Sequence, residues 1–355
     1  MRGGAAVAVI RPCGPYTPPA GALSPPGLAT VKGGGQLWVS DVETSQPLAD
    51  AGHAFCGQML AAGTFVLYPY HANDNAFPVS YALALQNPSA TAAVSVDITN
   101  AGFYTWLSGQ PYIEWQYFYA GHGRSLTVPA GATVLLIEVD GSVADDYPYR
   151  FNGQVGAGGI YGGVLLGTCS GPLFVYDYCW RSAVAGTLAQ VPPGSVGQGL
   201  LPARGVGAWN LLWIYPFGRG RAVAASTLAG GGYTFRYGFT GDSFGGADVV
   251  AVTDQQTGLT YTYNGNYPIR HLVTYGVHND TGTSVTVKTT VTCVDRIASW
   301  PLVEIGQATG QCALQAGEGW LAVAQSVPPG AVSPIAYQLV NCGSYPARCA
   351  WTLSL

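Results

Sequence analysis

Hydrophobic and polar positions alternate with a period of two over many short segments of this chain. The segment AAVSVDI (Ala92–Ile98) follows this pattern, and FVLYPY (Phe65–Tyr70), VSYALALQN (Val79–Asn87) and YIEWQYFYA (Tyr112–Ala120) belong to the same series of short apolar runs. Alternation places successive side chains on opposite faces of an extended strand. Turn residues, above all Gly and Pro, separate the runs. The pattern predicts an all-β protein, and no segment predicts a helix of normal length.

The second half of the chain repeats much of the first half. IRHLVTYGVHN (Ile269–Asn279) corresponds to VSYALALQN, and SVTVKTTV (Ser284–Val291) corresponds to AAVSVDI. The motif Val-Pro-x-Gly then follows in both halves, at Val128–Gly131 and Val327–Gly330. Pro fixes φ and begins a turn, and Gly allows the backbone conformation that closes it. We therefore predict the same strand–turn–strand unit at equivalent places in two related domains.

The repeat and the turn-rich segments divide the chain into four parts. Residues 1–35 are rich in Pro and Gly and predict an extended tail. Residues 36–183 and 205–355 predict two tandem antiparallel β-sandwich domains of jelly-roll-like type. Residues 184–204 contain a third Val-Pro-x-Gly motif without flanking strands, and we interpret them as a linker.

Composition and charge restrict the partners of the protein. Only 9% of the 355 residues are charged, and the formal net charge is −4. No run of Lys and Arg is present, so we expect no nucleic-acid partner. No apolar run approaches the roughly 18 residues of a membrane helix, so we expect no membrane insertion. Few charges also favour close packing of copies of the chain.

Eight cysteines predict disulfide bonds rather than a metal site, because no CxxC pair is present. The three pairs that are closest in sequence are the first candidates, and the fourth pair is what remains. The predicted pairs are Cys169 with Cys179, Cys293 with Cys312, Cys342 with Cys349, and Cys13 with Cys56. Stable disulfides indicate the cell exterior, a virion or the interior of a hyperthermophile.

The N-terminal tail contains one apolar segment, which is too short for a secretory signal. Either a signal has been removed, or the protein does not leave the cell by that route. The segment is the candidate donor strand: Ala5, Ala6, Val7, Ala8, Val9 and Ile10. Two interpretations stay open. The strand lies at the edge of its own first domain, or it is donated to a sheet of another copy by β-augmentation.

Three longer segments resemble a known group of proteins. They are YHANDNAFPVSYALALQNPSATAAVSVDI, LTVPAGATVLLIEVDGSV and NYPIRHLVTYGVHN. Together they resemble the tandem β-sandwich regions of surface proteins from Firmicutes, some of which are called copper amine oxidase-like. The resemblance implies an extracellular, wall-associated or matrix role and brings no catalytic residues. The chain has no Asn-Tyr-Asp/Glu context for a quinone cofactor and no His-x-His pair, so we expect no cofactor.

Several short motifs are candidate chemical sites. GDSFGG (Gly241–Gly246) has one residue too many for a serine-protease motif, and HANDN (His71–Asn75) lacks the closing Glu of a calcium loop. We interpret both as polar turns. The carboxylates of a glycosidase would come from one polar loop, at Asp140, Asp145 and Asp146. Aromatic candidates for carbohydrate binding are Trp106, Trp115, Tyr117 and Tyr119.

Asn279 begins the sequon Asn-Asp-Thr and is a candidate glycosylation site. No catalytic or metal-binding constellation stands out beside it, and the sequence predicts a protein that is not an enzyme. We expect a structural subunit of an extracellular surface assembly, polymerised through its N-terminal strand. Two alternatives stay open: a virion protein, such as a double jelly-roll capsid or fibre subunit, and a carbohydrate-binding surface adhesin.

Overall fold

A computed structural model describes most of the chain. The described residues are 29–41, 53–107, 113–181, 203–214, 222–229, 233–237, 250–263, 270–293, 299–305, 308–311, 319–344 and 349–355. The predicted donor strand Ala5–Ile10 and most of the predicted linker lie outside them. Strands make up most of the described chain, so the predicted all-β class is confirmed.

The described residues form twenty-two strands and two short helices. Those of the first half are β1 (Ala29–Asp41), β2 (His53–Leu60), β3 (Gly63–Ala72), β4 (Val79–Gln86), β5 (Val94–Leu107), α1 (Ile113–Ala120), β6 (Arg124–Val128), β7 (Thr133–Val139), β8 (Arg150–Phe151), β9 (Gly159–Cys169) and β10 (Leu173–Arg181). Those of the second half are β11 (Ala203–Ile214), β12 (Val223–Ala224), α2 (Ala225–Ala229), β13 (Tyr233–Tyr237), β14 (Val250–Thr253), β15 (Thr260–Tyr263), β16 (Arg270–His278), β17 (Val285–Cys293), β18 (Ser299–Ile305), β19 (Ala308–Gln311), β20 (Gly319–Val327), β21 (Val332–Ser344) and β22 (Cys349–Ser354). Neither described helix is long and apolar enough to cross a membrane.

The described chain forms two compact units. The first unit contains Gly34–Trp209 together with Ala251–Thr262, and the second contains Asn210–Val250 and Tyr263–Leu355. The turn between β14 and β15 therefore belongs to the first unit, although the chain on either side of this hairpin belongs to the second.

Two sheets pack face to face in the first unit. Their strand orders are β1-β3-β9-β5-β6 and β2-β10-β4-β7-β8. Most neighbours are antiparallel, as predicted, whereas β1/β3 and β7/β8 are parallel pairs. The core takes Trp38, Phe65 and Phe103 from one sheet and Phe55 and Tyr81 from the other, all almost fully buried. Burial of these large side chains is the main stabilising contribution of the unit.

The second unit also contains two sheets. Their strand orders are β19-β18-β21-β16-β11 and β13-β22-β17-β20. Antiparallel pairs predominate, and β16 has the parallel neighbours β11 and β12. The register of β17 and β22 sets Cys293 opposite Cys349.

The aromatic segment Tyr112–Ala120, which the sequence places among the strands, forms helix α1 instead. This helix packs against β5 and β9. Gly102 of β5 makes that approach possible, because a Cβ atom at this position would overlap the Glu114 carbonyl oxygen. The helix is thus held by a close tertiary contact, which the local sequence pattern does not reveal.

The two Val-Pro-x-Gly motifs form the same turn, as the repeat predicts. Val128–Gly131 leads from β6 to β7, and Val327–Gly330 leads from β20 to β21. The final glycines have φ angles of +66° and +69°, in the left-handed region that favours glycine. The repeat therefore reproduces backbone geometry as well as strand order.

Two buried asparagines hold these turns with the same hydrogen bonds. The side-chain amide donates to the carbonyl of the Val that opens the turn, at 3.0 Å from Asn87 and 2.8 Å from Asn279. It also donates to a second carbonyl shortly after the Asn, at 2.8 Å in both units. Each Asn thus connects the end of one strand to a turn more than forty residues away.

The expected glycosylation of Asn279 is wrong for the folded protein. Its side chain is fully buried, and the nitrogen that would carry a glycan donates both hydrogen bonds described above. A glycan would remove a donor and could not fit in the core.

We predict that Asn87→Ala and Asn279→Ala each lower the free energy of unfolding by about 1–3 kcal/mol, because each leaves buried carbonyls unpaired. Chemical denaturation measures this effect. Asn152→Ala is the control, since this side chain is exposed, and it should change stability by less than about 0.5 kcal/mol. Equal effects of all three substitutions would contradict the role of the two buried asparagines.

Candidate functional site

The carboxyl group of Asp177 lies fully buried between the two sheets of the first unit. Asp177 belongs to β10. Its Oδ1 atom accepts hydrogen bonds from the Ser40 hydroxyl on β1, at 3.1 Å, and from the backbone N–H of Cys56 on β2, at 3.0 Å. One oxygen atom therefore connects strands of both sheets.

The second oxygen of Asp177 contacts an imidazole and a phenol. Its Oδ2 atom lies 2.7 Å from Nε2 of His71 on β3 and accepts a hydrogen bond from the Tyr81 hydroxyl on β4, at 3.2 Å. The His71 ring stacks on Phe55 with 4.2 Å between ring centroids. The side chains of His71 and Asp177 are 0% exposed, so a solute in the solvent does not reach them.

The thiols beside this cluster are held in their protonated form. Burial raises the pKa of Cys56, and the charge of Asp177 raises it further. Burial likewise raises the pKa of Cys179. A thiolate is the form that attacks substrates and binds metals. Among the described residues, no group of three or more His, Cys, Asp or Glu is placed to hold a metal ion. The cluster therefore joins the two sheets and presents no reactive group to a substrate.

Two predicted disulfides are wrong, because Cys56, Cys169 and Cys179 are free thiols. Cys169 is the last residue of β9. Cys179 lies in β10, which belongs to the other sheet, and it comes six residues after the first residue of that strand. Six residues of extended strand span about 20 Å, far more than a disulfide can bridge. Cys56 is buried without a disulfide, which contradicts its pairing with Cys13.

The two disulfides predicted for the second unit involve side chains outside the described part of the chain. Cys312 lies outside the described residues altogether, whereas Cys293, Cys342 and Cys349 belong to strands of which only the backbone is described at these positions. The backbone register places Cys349 opposite Cys293 on neighbouring strands. The two pairings predicted for this unit therefore stay predictions.

The HANDN segment begins inside β3, because His71 and Ala72 are the last residues of that strand, and only Asn73–Asn75 lie in the loop that follows, so the interpretation as a polar turn is wrong for His71. The Asn73 side-chain nitrogen donates to the carbonyls of Phe77 and Val155, both at 2.9 Å, and its oxygen accepts from the backbone N–H of Asn75 at 3.1 Å. These bonds direct the amide toward the backbone of its own unit rather than toward an ion.

The acidic loop lies at the surface of the first unit. Asp145 accepts a hydrogen bond from the Asn152 backbone at 2.7 Å, and Asp146 pairs with Arg124. Tyr117 is exposed on α1. The remaining candidates lie outside the described side chains: Ser243, Trp106, Trp115 and Tyr119.

A second buried carboxyl group, absent from the candidates that the sequence suggests, is that of Asp254 in the β14–β15 hairpin. It accepts hydrogen bonds from Gln58 at 2.8 Å, Thr257 at 2.9 Å and Arg204 at 2.9 Å. Burial alone would raise the pKa of Asp254, but these bonds and the charge of Arg204 outweigh it and lower the pKa. The segment TDQQTG is a typical Asx-turn sequence, and this signal could have identified the hairpin.

A third buried carboxyl group belongs to Glu114, in the first turn of α1. Glu114 is 1% exposed, and neither carboxyl oxygen has a hydrogen-bond partner within the described part of the chain. Burial raises the pKa of Glu114. Burial also raises the pKa of Tyr70 to about 12, and the neighbouring Glu114 adds to that shift.

We predict that Asp177→Ala lowers the free energy of unfolding by about 3–5 kcal/mol, because it removes one partner of a buried pair and leaves several donors unpaired. Chemical denaturation again provides the measurement. The matched control is Asp145→Ala, because the Asp145 side chain is exposed. This substitution should lower the free energy of unfolding by less than about 1 kcal/mol. A small effect of Asp177→Ala would show that the two sheets do not depend on this cluster.

We predict that Glu114→Gln makes stability less dependent on pH. The pKa of Glu114 in the folded protein is above its value of about 4.3 in the unfolded chain. The free energy of unfolding of the wild type therefore falls as pH rises from about 4.3 toward the pKa of the folded state. The decline approaches about 1.4 kcal/mol per pH unit, and the variant should lack it. Unfolding measured from pH 4 to pH 8 tests this, with the exposed Asp97→Asn as the control. Parallel curves for wild type and Glu114→Gln would contradict the prediction.

Comparison with known proteins shows no family for this chain. No family model and no curated protein matches it. An oxalate decarboxylase of Lactobacillus farciminis, in a formate complex, is 10% identical over 86% of this chain and 78% of its own, with a TM-score of 0.14. A 7S globulin of Momordica charantia is 10% identical over 87% and 81%, with a TM-score of 0.12. Such low scores carry no argument about function, and the resemblance to Firmicutes surface proteins stays a prediction.

Proposed function

We propose that this protein is a non-enzymatic structural subunit that assembles outside the cell by adding a strand from one copy to a sheet of the next. The observation that carries the proposal is the position of β6 at the end of a sheet. Among the described strands, β6 pairs with β5 alone. The backbone groups on its other side are available to an added strand, which is the usual liability of an edge.

The side chains of β6 fit the addition of a further strand. Leu126 and Val128 point toward the core, whereas Ser125 and Thr127 are exposed. A strand added beside β6 would extend the same apolar inner face and the same polar outer face. The segment Ala5–Ile10 contains only Ala, Val and Ile, so it supplies small apolar side chains to either face.

One end of the other sheet, β2, is partly covered, and the opposite end, β8, is a strand of only two residues. The side-chain amide of Gln255 accepts a hydrogen bond from the backbone N–H of Met59 on β2, at 2.7 Å, and donates to the carbonyl of the same residue, at 3.0 Å. This amide imitates a neighbouring strand and covers the edge at that point. The contrast with β6 supports strand addition at β6.

The buried polar groups support a structural role rather than catalysis. Asp177 and Asp254 are engaged in hydrogen bonds within the first unit, and both are 0% exposed. A low content of charged residues, 9%, also reduces the cost of removing water from a contact between copies.

We predict that deletion of residues 1–12 leaves folded monomers that do not form fibres, because the donated strand is lost. Thr127→Lys should raise the protein concentration that fibre growth requires by a few-fold, since it places a charge on the accepting edge. Sedimentation and negative-stain electron microscopy measure both effects.

The control for this experiment is Thr168→Lys, an equally exposed threonine on β9, which is not an edge strand. It should leave fibre growth unchanged. Fibres that persist after the deletion would refute strand donation, and closed icosahedral shells of the wild-type protein would indicate a virion subunit.

A further inference from the structure

Three aromatic side chains meet at the surface of the first unit and form what we call the aromatic platform: Tyr117, His122 and Tyr147. Tyr117 is 39% exposed, which is unusual for a side chain of its size, and His122 is also exposed. The ring centroids of Tyr117 and Tyr147 are 4.5 Å apart, those of His122 and Tyr147 are 5.4 Å apart, and those of Tyr117 and His122 are 6.5 Å apart. The rings therefore contact one another and form one continuous surface.

Hydrogen bonds within the unit hold the platform in place. The Tyr147 hydroxyl donates to the Phe103 carbonyl at 3.2 Å, and the buried Tyr149 donates to the His122 carbonyl at 2.7 Å. His122 has a φ angle of +54°, in the left-handed region that residues other than glycine rarely adopt. Such strain persists only where the surrounding structure imposes it, and it is frequent at binding sites.

Polar side chains adjoin the platform. Arg124 pairs with Asp146, and its guanidinium carbon lies 4.1 Å from the ring centroid of Tyr149. Asp145 accepts the Asn152 backbone N–H at 2.7 Å. These groups are close to the platform along the chain, because Asp145 and Asp146 immediately precede Tyr147 and Arg124 follows His122 by two residues. They supply the few fixed polar groups that ligand sites combine with aromatic rings.

We propose that the aromatic platform binds a neutral carbohydrate. The apolar C–H face of a pyranose ring packs on Tyr117, and its hydroxyl groups exchange hydrogen bonds with Arg124 and the carboxylates beside it. The rings contact each other too closely to enclose a ligand between them, so the ligand lies across their exposed faces.

The charges around the platform favour a neutral ligand over a quaternary ammonium ion. Aromatic rings beside carboxylates can also bind such cations. Here, however, Arg124 already lies over the ring of Tyr149 and compensates Asp146. A cationic ligand would meet this guanidinium, whereas a sugar hydroxyl can accept from it. The proposal does not rest on strand addition, because the platform belongs to one copy of the chain.

Titration of the full chain with three neutral hexasaccharides tests the proposal: β-linked glucose, β-linked N-acetylglucosamine and α-linked glucose. Calorimetry should detect saturable binding of at least one of them. Tyr117→Ala should weaken that binding by about tenfold, and Tyr117→Phe should retain it, since ring stacking does not need the hydroxyl. Leu259→Ala removes an apolar side chain that is even more exposed, 56% against 39% for Tyr117, elsewhere in the first unit, and it should have no effect.

Thermal unfolding of each variant establishes that the substitutions do not act by unfolding the unit. No saturable binding of any of the three sugars would overturn the proposal. Equal affinity of wild type and Tyr117→Ala would also overturn it, as would saturable binding of choline chloride without binding of a sugar.

Discussion

The carboxyl group of Asp177 is the constraint on which the first unit depends. A buried carboxyl group is costly unless donors surround it. Here the donors come from four different strands: Ser40 on β1, Cys56 on β2, His71 on β3 and Tyr81 on β4. A shift of one residue in β1, β3 or β4 would turn the donating side chain to the opposite face. The cluster therefore fixes strand register across both sheets, and the surrounding aromatic core packs around that arrangement.

Features that depend on local turn chemistry could be predicted from the sequence. The two Val-Pro-x-Gly turns occur where the repeat places them, because Pro and Gly determine backbone conformation over a few residues. The structural role of Asn87 and Asn279 was not predicted, although both end matching strand segments. Their hydrogen bonds reach 41 and 48 residues along the chain, and the sequence pattern does not reveal a partner at that distance.

Features that depend on tertiary contacts could not be predicted. His71 and Asp177 are 106 residues apart along the chain. In the sequence, His71 belongs to the polar segment HANDN, which suggested comparison with a calcium loop and not a buried pair. Closeness in sequence was misleading for Cys169 and Cys179, because the chain crosses from one sheet to the other between β9 and β10. Helix α1 depends on the absence of a side chain at Gly102. The sequence does not reveal that the helix packs against this glycine.

The edges of the two sheets connect the fold to the proposed assembly. Gln36 pairs its amide with both backbone groups of Ala61, at 2.8 and 2.9 Å, and Gln255 does the same with Met59 on β2. A side-chain amide can take the place of a strand because it offers one donor and one acceptor in nearly the same geometry as a peptide group. Among the described residues, β6 has only β5 as a neighbouring strand. A protein that evolved only to remain monomeric would gain by covering or shortening its edge strands. Here β2 is covered in part by Gln255 and the edge strand β8 has only two residues, whereas β6 has five residues and one neighbouring strand. This contrast supports the view that β6 receives a strand from elsewhere, and no described strand has to be displaced for that addition.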